Sequence, residues 1–307
     1  MKKKDKPEPK QVAAYECGGC GDQKELVKNF ENGLASQGIA PNTRRGYLRY
    51  LNAFLALLKT MNVDIKDVKA EQITMFLANY NKRNKTTSSS AIARAALRRF
   101  FFDNDIIINW GKVRVPKRKK RETVLLTAEE FEKIVKELPE PERSAFILGT
   151  GSGLRCSELS NLHFSDIDWE NNKVFVRYHG KQEGLKTGEG SVLMLENVQA
   201  MLRKYNSPIL KGGKGPVFLV KHKNGKTVVL NEYRFWKKIQ EARDRAKIFK
   251  KVHPHTCRHL FGTIVYRKYH DIIKTQQRLR HLSIATSQLY VNLNNDNENV
   301  VLPFEKA

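Results

Sequence analysis

The sequence feature that most constrains the fold is a basic run that separates two stretches with hydrophobic periodicity. The run reads KVRVPKRKKR over residues 112–121 and contains seven Lys or Arg residues and one proline. Such a segment cannot bury apolar surface, which is typical of a linker or a tail. Because helical periodicity resumes after the run, we interpret residues 111–123 as a linker between two domains. A chain of 307 residues is long enough for two domains.

The stretch before the linker, residues 24–110, has a helical pattern. It contains four segments in which apolar residues recur at three- and four-residue spacing. In one of them, PNTRRGYLRYLNAFLALLKTMN, the residues on one face are Tyr47, Tyr50, Leu51, Phe54, Leu55 and Leu58. A serine cluster opens the last segment, SSSAIARAALRRFFFDND, and predicts an N-cap for its helix. These patterns predict a small helical domain.

The stretch after the linker, residues 124–307, is predicted to be mainly helical with a small antiparallel sheet. Thr127 and Glu130 have the spacing of a capping box ahead of the first helix. KVFVRYHG alternates like a strand, and LKTGEGSVLML contains a turn followed by a second strand, so the two predict a hairpin. The fold class is therefore mainly α with a small antiparallel β-sheet, built as a helical domain followed by a mixed α/β domain.

The charge of the chain indicates a polyanionic partner. Lys and Arg outnumber Asp and Glu by 56 to 32, a net charge of +24. Double-stranded DNA suits this excess, because Lys and Arg neutralise phosphates and release condensed counterions. We expect the helical domain to act as a DNA clamp and the linker to lie along phosphates. The candidate DNA-binding residues are Arg44, Arg45, Arg49, Arg94, Arg98, Lys117, Arg118, Lys119 and Lys120.

The hydrophobic pattern excludes a membrane protein. No apolar run approaches the roughly 20 residues that a membrane helix requires. The N-terminus is basic but lacks the apolar segment of a secretory signal. We therefore expect a DNA-associated protein of the cytoplasm, or of a host cytoplasm if a virus or plasmid encodes it.

Residues 1–23 are interpreted as a flexible basic leader, because they lack helical periodicity. The leader contains a CGGC motif formed by Cys17 and Cys20. Zinc sites generally need a second pair of ligands, and no such pair follows at finger spacing. A loose thiol pair is the favoured interpretation, and no metal is predicted, although ligands borrowed from elsewhere leave zinc binding open.

Chemistry-bearing residues concentrate in the second domain. His255 and Arg258 are three residues apart in a helical segment, so they project from the same face. Arg155 follows the turn GTGSGL, where glycine lets the backbone approach a ligand. His281 precedes Tyr290 by nine residues, and ATSQLY predicts a short helix with the phenol at its edge.

These residues, with Lys186 at the hairpin turn KTGEG, suit phosphoryl transfer on DNA without a metal, cofactor or ATP. A phosphodiester under attack gathers negative charge on its non-bridging oxygens, which guanidinium groups bind bidentately. Tyrosine, with an ordinary pKa near 10, becomes a nucleophile only when nearby cations and a proton acceptor help it ionise. Either histidine can give that help or orient the phosphate, and a lysine can protonate the departing 5′-oxygen.

The segments GLRCSEL, HTCRH and HLSIATSQLY resemble the three signature boxes of the tyrosine recombinase (phage integrase) family. The resemblance implies a nucleophilic tyrosine that forms a 3′-phosphotyrosine, and a homotetramer that assembles on two DNA duplexes. It also implies that Glu158 and His259 support the site. The catalytic residues that it implies are Arg155, Lys186, His255, Arg258, His281 and Tyr290.

Two positions remain open within the resemblance. The family lysine lies on the hairpin, and Lys186 is favoured over Lys181 because its distance to the following strand fits KTG-type members. The family usually has glycine before the late histidine, whereas this chain has Arg280. The turn or the DNA contact at that position is therefore expected to differ.

The resulting prediction is a site-specific DNA recombinase of the integrase or resolvase type. A type IB topoisomerase would use the same residues to relax supercoils, and is the alternative within this chemistry. A DNA-binding protein without catalysis is the alternative from another class. The completeness of the candidate set favours an enzyme, because folding alone does not require all six residues.

Overall fold

The structure is a computed structural model that describes residues 20–84, 87–115, 123–179, 188–221 and 224–305. Within these ranges the chain forms two compact units that divide at residue 120. The basic residues at 117–120 lie outside the described residues, so their predicted contact with phosphates stays a prediction. Each unit has a hydrophobic core of its own.

The described residues of the first unit form four α-helices. These are α1 (Cys20–Ser36), α2 (Pro41–Thr60), α3 (Ala70–Asn84) and α4 (Thr87–Asp103). The apolar face predicted for α2 lies in the core, with Tyr50, Leu51, Phe54 and Leu58 buried. Helix α1 begins before Lys24, so the leader predicted to extend to residue 23 is too long by four residues. The first residues of α1 include glycine and aspartate, which are poor helix formers, and they show no apolar periodicity, so the sequence did not predict a helix there.

The predicted serine N-cap of α4 is wrong, because the helix begins at Thr87 and the serines lie inside it. Ser90 is fully buried, and its hydroxyl donates a hydrogen bond to the carbonyl of Leu77 on α3 at 3.3 Å. A small side chain with a partner on the neighbouring helix is tolerated within a helix, although serine favours caps. Packing between α3 and α4 therefore overrides the capping preference.

The second unit contains eight helices and five strands among its described residues. They are α5 (Ala128–Glu137), α6 (Glu142–Ser152), α7 (Cys156–Ser160), β1 (Ile167–Asp168), β2 (Lys173–Val176), β3 (Gly190–Leu193), α8 (Val198–Lys204), β4 (Leu219–Lys221), β5 (Thr227–Val229), α9 (Glu232–Arg245), α10 (Pro254–Tyr269), α11 (Ile272–Leu279) and α12 (Ile284–Asn295).

Two small antiparallel sheets are present in the second unit. Strands β1, β2 and β3 pair in that order, with Val174 opposite Val192, and β4 pairs with β5. The predicted hairpin is the β2–β3 pair, so this part of the prediction is confirmed. Strand β1 and the β4–β5 pair were not predicted, because strands of two or three residues are too short to show alternation.

Helix α10 is the central element of the second unit and packs against α6, α11 and α12. Its buried residues include Cys257, Leu260 and Phe261. Helix α6 ends at Gly153, whose φ of +67° is left-handed, and a Cβ there would lie 2.4 Å from a ring carbon of Phe261. Only glycine fits this close approach, which places the end of α6 directly against α10.

The C-terminal segment packs on its own unit. The carbonyl of Val301 accepts a hydrogen bond from the backbone N–H of Ala128 at 2.9 Å, and Leu302 is fully buried. The ring of Phe304 lies 5.7 Å from that of Phe131 on α5. The apolar tail thus covers the first turns of α5 in the single chain.

Two kinds of feature were sought among the described residues and not found there. No described helix combines the length and the apolar character needed to cross a membrane. Nor does this part of the chain bring three or more His, Cys, Asp or Glu residues together as metal ligands. Cys17 lies outside the described ranges, so the thiol pair of the CGGC motif stays a prediction.

The capping box at α5 is confirmed, and it generates a test of stability. Thr127 Oγ1 accepts a hydrogen bond from the N–H of Glu130 at 3.1 Å, and Glu130 Oε2 accepts one from the N–H of Thr127 at 2.9 Å. Replacing Thr127 by alanine should lower the free energy of unfolding by about 1 kcal/mol, because an N–H at the helix start loses its acceptor. Urea denaturation measures the change. Thr127→Ser keeps the acceptor and should retain most of the stability, whereas equal losses in both variants would contradict the prediction.

Candidate active site

Arg258 is the most deeply buried cation of the candidate site. It projects from α10 with 2% of its surface exposed. Its Nη1 donates to the carbonyl of Gly153 at 2.6 Å, and its Nη2 donates to the carbonyl of Leu279. These carbonyls lie at the C-terminal ends of α6 and α11, where helix carbonyls lack partners within the helix. Burial, followed by the charge of Arg155, lowers the pKa of Arg258 to about 10, so it remains a cation at neutral pH.

Arg155 lies at the start of α7 and is held by a carboxylate. Its Nη1 donates to Glu158 Oε1 at 2.9 Å, and its backbone N–H donates to Glu158 Oε2 at 2.9 Å. Its Nη2 lies 3.4 Å from the carbonyl of Arg280. Glu158 has a side chain only 3% exposed, so this carboxylate orients Arg155 with little competition from water.

Tyr290 lies in the middle of α12 with 1% of its surface exposed. The predicted position at the edge of a short helix is therefore wrong. The ring rests on Gly262 of α10, where a Cβ would lie 2.4 Å from two carbons of the phenol. This contact depends on tertiary packing, but glycine inside the helical segment HLFGT was a signal of a close approach.

The electrostatic environment of Tyr290 includes both arginines. Burial raises the pKa of the phenol to about 12, while Arg258 and Arg155 act to lower it. The charges of both guanidinium groups therefore favour the phenolate over the phenol. In the DNA-free chain burial outweighs them, and the tyrosine is protonated at neutral pH.

Two neutral histidines flank the phenol. The ring of His281 lies parallel to that of Tyr290 with centroids 6.0 Å apart, and its Nδ1 is 2.8 Å from Ser287 Oγ. Burial and Arg258 lower the pKa of His281 to about 4. His259 lies 6.2 Å from Tyr290 between centroids, and burial lowers its pKa to about 3. Both imidazoles are therefore neutral at physiological pH.

His255 is exposed at the start of α10, with its ring 4.6 Å from that of His259. The second unit thus brings five of the six predicted catalytic residues into one region. The sixth, Lys186, lies outside the described residues, as does the alternative Lys181. Their assignment stays a prediction.

The candidate DNA-binding arginines of the first unit fall into two groups. Arg45, Arg49 and Arg98 are exposed. Arg94 is half-buried, with its guanidinium 5.9 Å from the ring centroid of Trp110. Arg44 is also half-buried, and its Nε makes no hydrogen bond. The exposed arginines are the better placed to meet phosphate, whereas Arg94 also has a packing contact.

Two family models match the chain in the order of its two units. The N-terminal SAM-like domain of phage integrases matches residues 27–102, and the phage integrase family matches residues 124–297. Together they cover the helical unit and most of the second unit.

Among curated proteins, tyrosine recombinase XerA of Thermococcus onnurineus is 29% identical over 272 residues, which span 88% of this chain and 91% of that protein. Among solved structures, a lambda integrase dimer bound to a core site has a TM-score of 0.67 at 20% identity, covering 87% of this chain and 94% of that one. XerH recombinase bound to its difH substrate has a TM-score of 0.61 at 19% identity, covering 89% and 82%.

The phage integrase family model extends over more than half of the chain, and the lambda integrase and XerH structures share the mainly helical fold of this chain. The chain therefore belongs to the phage integrase family and is a site-specific tyrosine recombinase, an enzyme that cleaves and rejoins DNA.

Proposed function

We propose that this recombinase cleaves DNA through attack of the Tyr290 hydroxyl on a phosphodiester. The new bond joins the phenolic oxygen to phosphorus, the bond to the 5′-oxygen breaks, and a 3′-phosphotyrosine remains. Reversal of these steps by another 5′-hydroxyl rejoins the strands, so the reaction requires neither ATP nor a metal. The observation that carries the proposal is that Arg258 and Arg155 both contact the turn at Leu279 and Arg280, directly before His281, whose ring lies parallel to that of Tyr290.

Arg155 and Arg258 would bind the non-bridging oxygens of the scissile phosphate. Negative charge grows on these oxygens during attack, and preorganised cations aimed at such charge are the largest contribution to many catalysed reactions. Arg258 is held by two carbonyls, which carry no net charge, so its own charge remains available to the phosphate. Glu158 partly neutralises Arg155 but fixes its direction.

The two histidines would have different roles, proton transfer for His281 and phosphate binding for His255. His281 is neutral at physiological pH, and the negative charge of a bound phosphate would raise its lowered pKa, so its imidazole could accept a proton from a phenol in contact with it. His255 is exposed beside the arginine-bearing face of α10 and suits a hydrogen bond to phosphate. Lys186 would supply the proton that the departing 5′-oxygen takes up, with Lys181 as the alternative.

DNA binding would have to uncover Tyr290. In the DNA-free chain the ring is buried against Gly262, so a phosphodiester has no access to its hydroxyl. Movement of α12 would release the ring toward the phosphate of its own chain or of a neighbouring copy. Both deliveries are compatible with the contacts described.

The assembly proposed is a homotetramer on two DNA duplexes, associated with DNA in the cytoplasm. The lambda integrase structure contains a dimer on a core site, and XerH is bound to a palindromic site. Pairs of active subunits on each of two duplexes would allow strands to be exchanged between them. The exposed arginines of the first unit would supply contacts to the phosphate backbone.

Replacing Tyr290 by phenylalanine tests the nucleophile. The variant keeps the ring over Gly262, so we expect it to fold and to bind DNA as the wild type does, but to form no covalent adduct. The measurement is the yield of denaturant-resistant protein–DNA complex on a nicked substrate that traps the adduct. Adduct formation by Tyr290→Phe would overturn the assignment.

The same assay, extended to two DNA sites, separates the recombinase from its alternatives. We expect exchange between two sites and unchanged cleavage in EDTA. Relaxation of a single supercoiled plasmid without exchange would instead indicate topoisomerase activity, and binding without any adduct would indicate a non-catalytic protein.

The identity of the catalytic lysine is tested by changing the leaving group. Lys186→Ala should slow adduct formation by roughly 10²–10⁴-fold, because the 5′-oxygen departs without a proton. Sulfur at the 5′-bridging position should restore the rate, since a thiol has a pKa of about 8.5 and leaves as an anion. Lys181→Ala is the matched control from the same segment and should cleave normally. A defect and sulfur rescue seen only in Lys181→Ala would assign the role to Lys181.

Acid should destabilise the second unit through its buried histidines. The fold lowers the pKa of His259 from 6.5 to about 3, so the unfolded chain gains this proton at a higher pH than the folded chain. The free energy of unfolding is therefore unaffected by this histidine above about pH 6.5 and decreases as pH falls from 6.5 toward 3. Thermal denaturation between pH 7 and pH 4 should show this loss, and His259→Gln should show a shallower one. An unchanged slope in the variant would contradict the prediction.

A further inference from the structure

Arg280 occupies the position where the tyrosine recombinase boxes usually have glycine, and it keeps the backbone conformation that glycine favours. Its φ of 52° and ψ of 48° are left-handed, at the end of α11. A residue with a Cβ adopts this conformation unfavourably, so compensating contacts are expected of its side chain. The turn is therefore retained, and the difference lies in what the side chain does.

The guanidinium of Arg280 points into the second unit, and its side chain is only 11% exposed. Its Nη1 donates to Glu158 Oε1 at 3.2 Å, the same oxygen that accepts from Arg155 Nη1 at 2.9 Å. Its Nη2 donates to the carbonyl of Gly188, two residues before β3. One side chain thus joins the carboxylate behind Arg155 to the entry of a hairpin strand.

Gly190 leaves the space that this arrangement needs. A Cβ at Gly190 would lie 3.2 Å from Arg280 Nε and 3.6 Å from Cζ. Because Gly190 pairs with Val176 in ordinary strand geometry, its glycine is not required by the backbone. The absence of a side chain therefore suits the guanidinium that packs over it.

Sharing of Glu158 affects the charge that Arg155 presents. With Arg280 in place, one buried carboxylate is divided between two guanidinium groups. Without Arg280, the carboxylate of Glu158 would no longer be shared. It could then accept more of the N–H donors of Arg155 and neutralise more of the charge of Arg155. The phosphate would then meet a weaker and differently oriented cation.

We propose that Arg280 is a positioning residue that ties the entry of β3 to Glu158 and so sets the orientation and available charge of Arg155. This role rests on the proposed function, in which Arg155 binds the scissile phosphate. Arg280 itself need not touch the DNA. Because Arg280 acts by orienting a catalytic group, its replacement should lower the rate without weakening DNA binding.

The experiment measures the rate of covalent adduct formation at saturating protein, and separately the dissociation constant for the same DNA. Arg280→Gly retains the left-handed turn without strain, so the variant should fold. We expect its rate to fall by about tenfold or more, because a misplaced Arg155 stabilises the reaction less well, with DNA affinity within about twofold of wild type. Arg280→Lys keeps one donor and the charge, and should recover part of the rate.

A modified substrate separates positioning from a general disturbance of the fold. When a methyl group replaces one non-bridging oxygen of the scissile phosphate, the charge that Arg155 neutralises is removed. The defect of Arg280→Gly should then shrink to about threefold or less, because less stabilisation depends on Arg155. A defect of the same size on both substrates would overturn the proposal.

Two further variants complete the test. Gly190→Val should displace the guanidinium and reproduce the defect, and its effect should not add to that of Arg280→Gly. Arg278→Ala is the matched control, since it removes a charge from the same helix end and contacts Leu193 and Tyr269 instead of Glu158. Equal losses of rate in Arg278→Ala and Arg280→Gly would show that only the loss of one positive charge matters, and would overturn the proposal.

Failure of the inference and failure of the proposed function are distinguishable in this design. If wild-type protein forms no adduct through Tyr290, the proposed function is wrong. If wild type forms the adduct and Arg280→Gly forms it equally fast, only the role of Arg280 is wrong.

Discussion

The need of a buried guanidinium for acceptors is the constraint on which the rest of the second unit depends. Arg258 has almost no access to water, and it is satisfied by the carbonyls of Gly153 and Leu279. Those carbonyls are available as acceptors because α6 and α11 end there, against α10. One side chain therefore links the ends of two helices to a third. The left-handed residues that end α6 and α11 turn the chain at these points. Burial of the arginine and termination of the helices therefore support one another.

This arrangement also explains how Arg258 can be buried and still keep its positive charge. Carbonyl oxygens at helix C-termini carry partial negative charge, which favours a guanidinium but leaves its net charge in place. The carboxylate of Glu158 contacts Arg155 and Arg280 together. The charges of Arg258 and Arg155 both act on Tyr290 and favour an anion beside it. A phosphodiester is such an anion.

Much of this could be predicted from local sequence, and the exceptions share one physical cause. The buried face of α2, the capping box at Thr127 and the β2–β3 hairpin follow from spacing of a few residues. The burial of Tyr290 does not, because it depends on Gly262 in a different helix. Likewise Ser90 lies inside α4 because Leu77 on α3 offers an acceptor, and the inward course of Arg280 depends on Glu158, 122 positions away. Spacing within a segment cannot reveal partners that only the fold supplies.

In the reaction proposed above, the packing of Tyr290 on Gly262 would keep the DNA-free protein inactive. Because Tyr290 is only 1% exposed, the proposed nucleophile would not reach phosphodiesters that the protein meets by chance. If the ring were released in about one molecule in a hundred, reaction would be slowed about a hundredfold relative to a permanently open site. Any DNA that stabilises the released form would relieve this delay. Discrimination between DNA sequences can thus arise from how strongly each sequence stabilises the released form of Tyr290, in addition to its binding affinity.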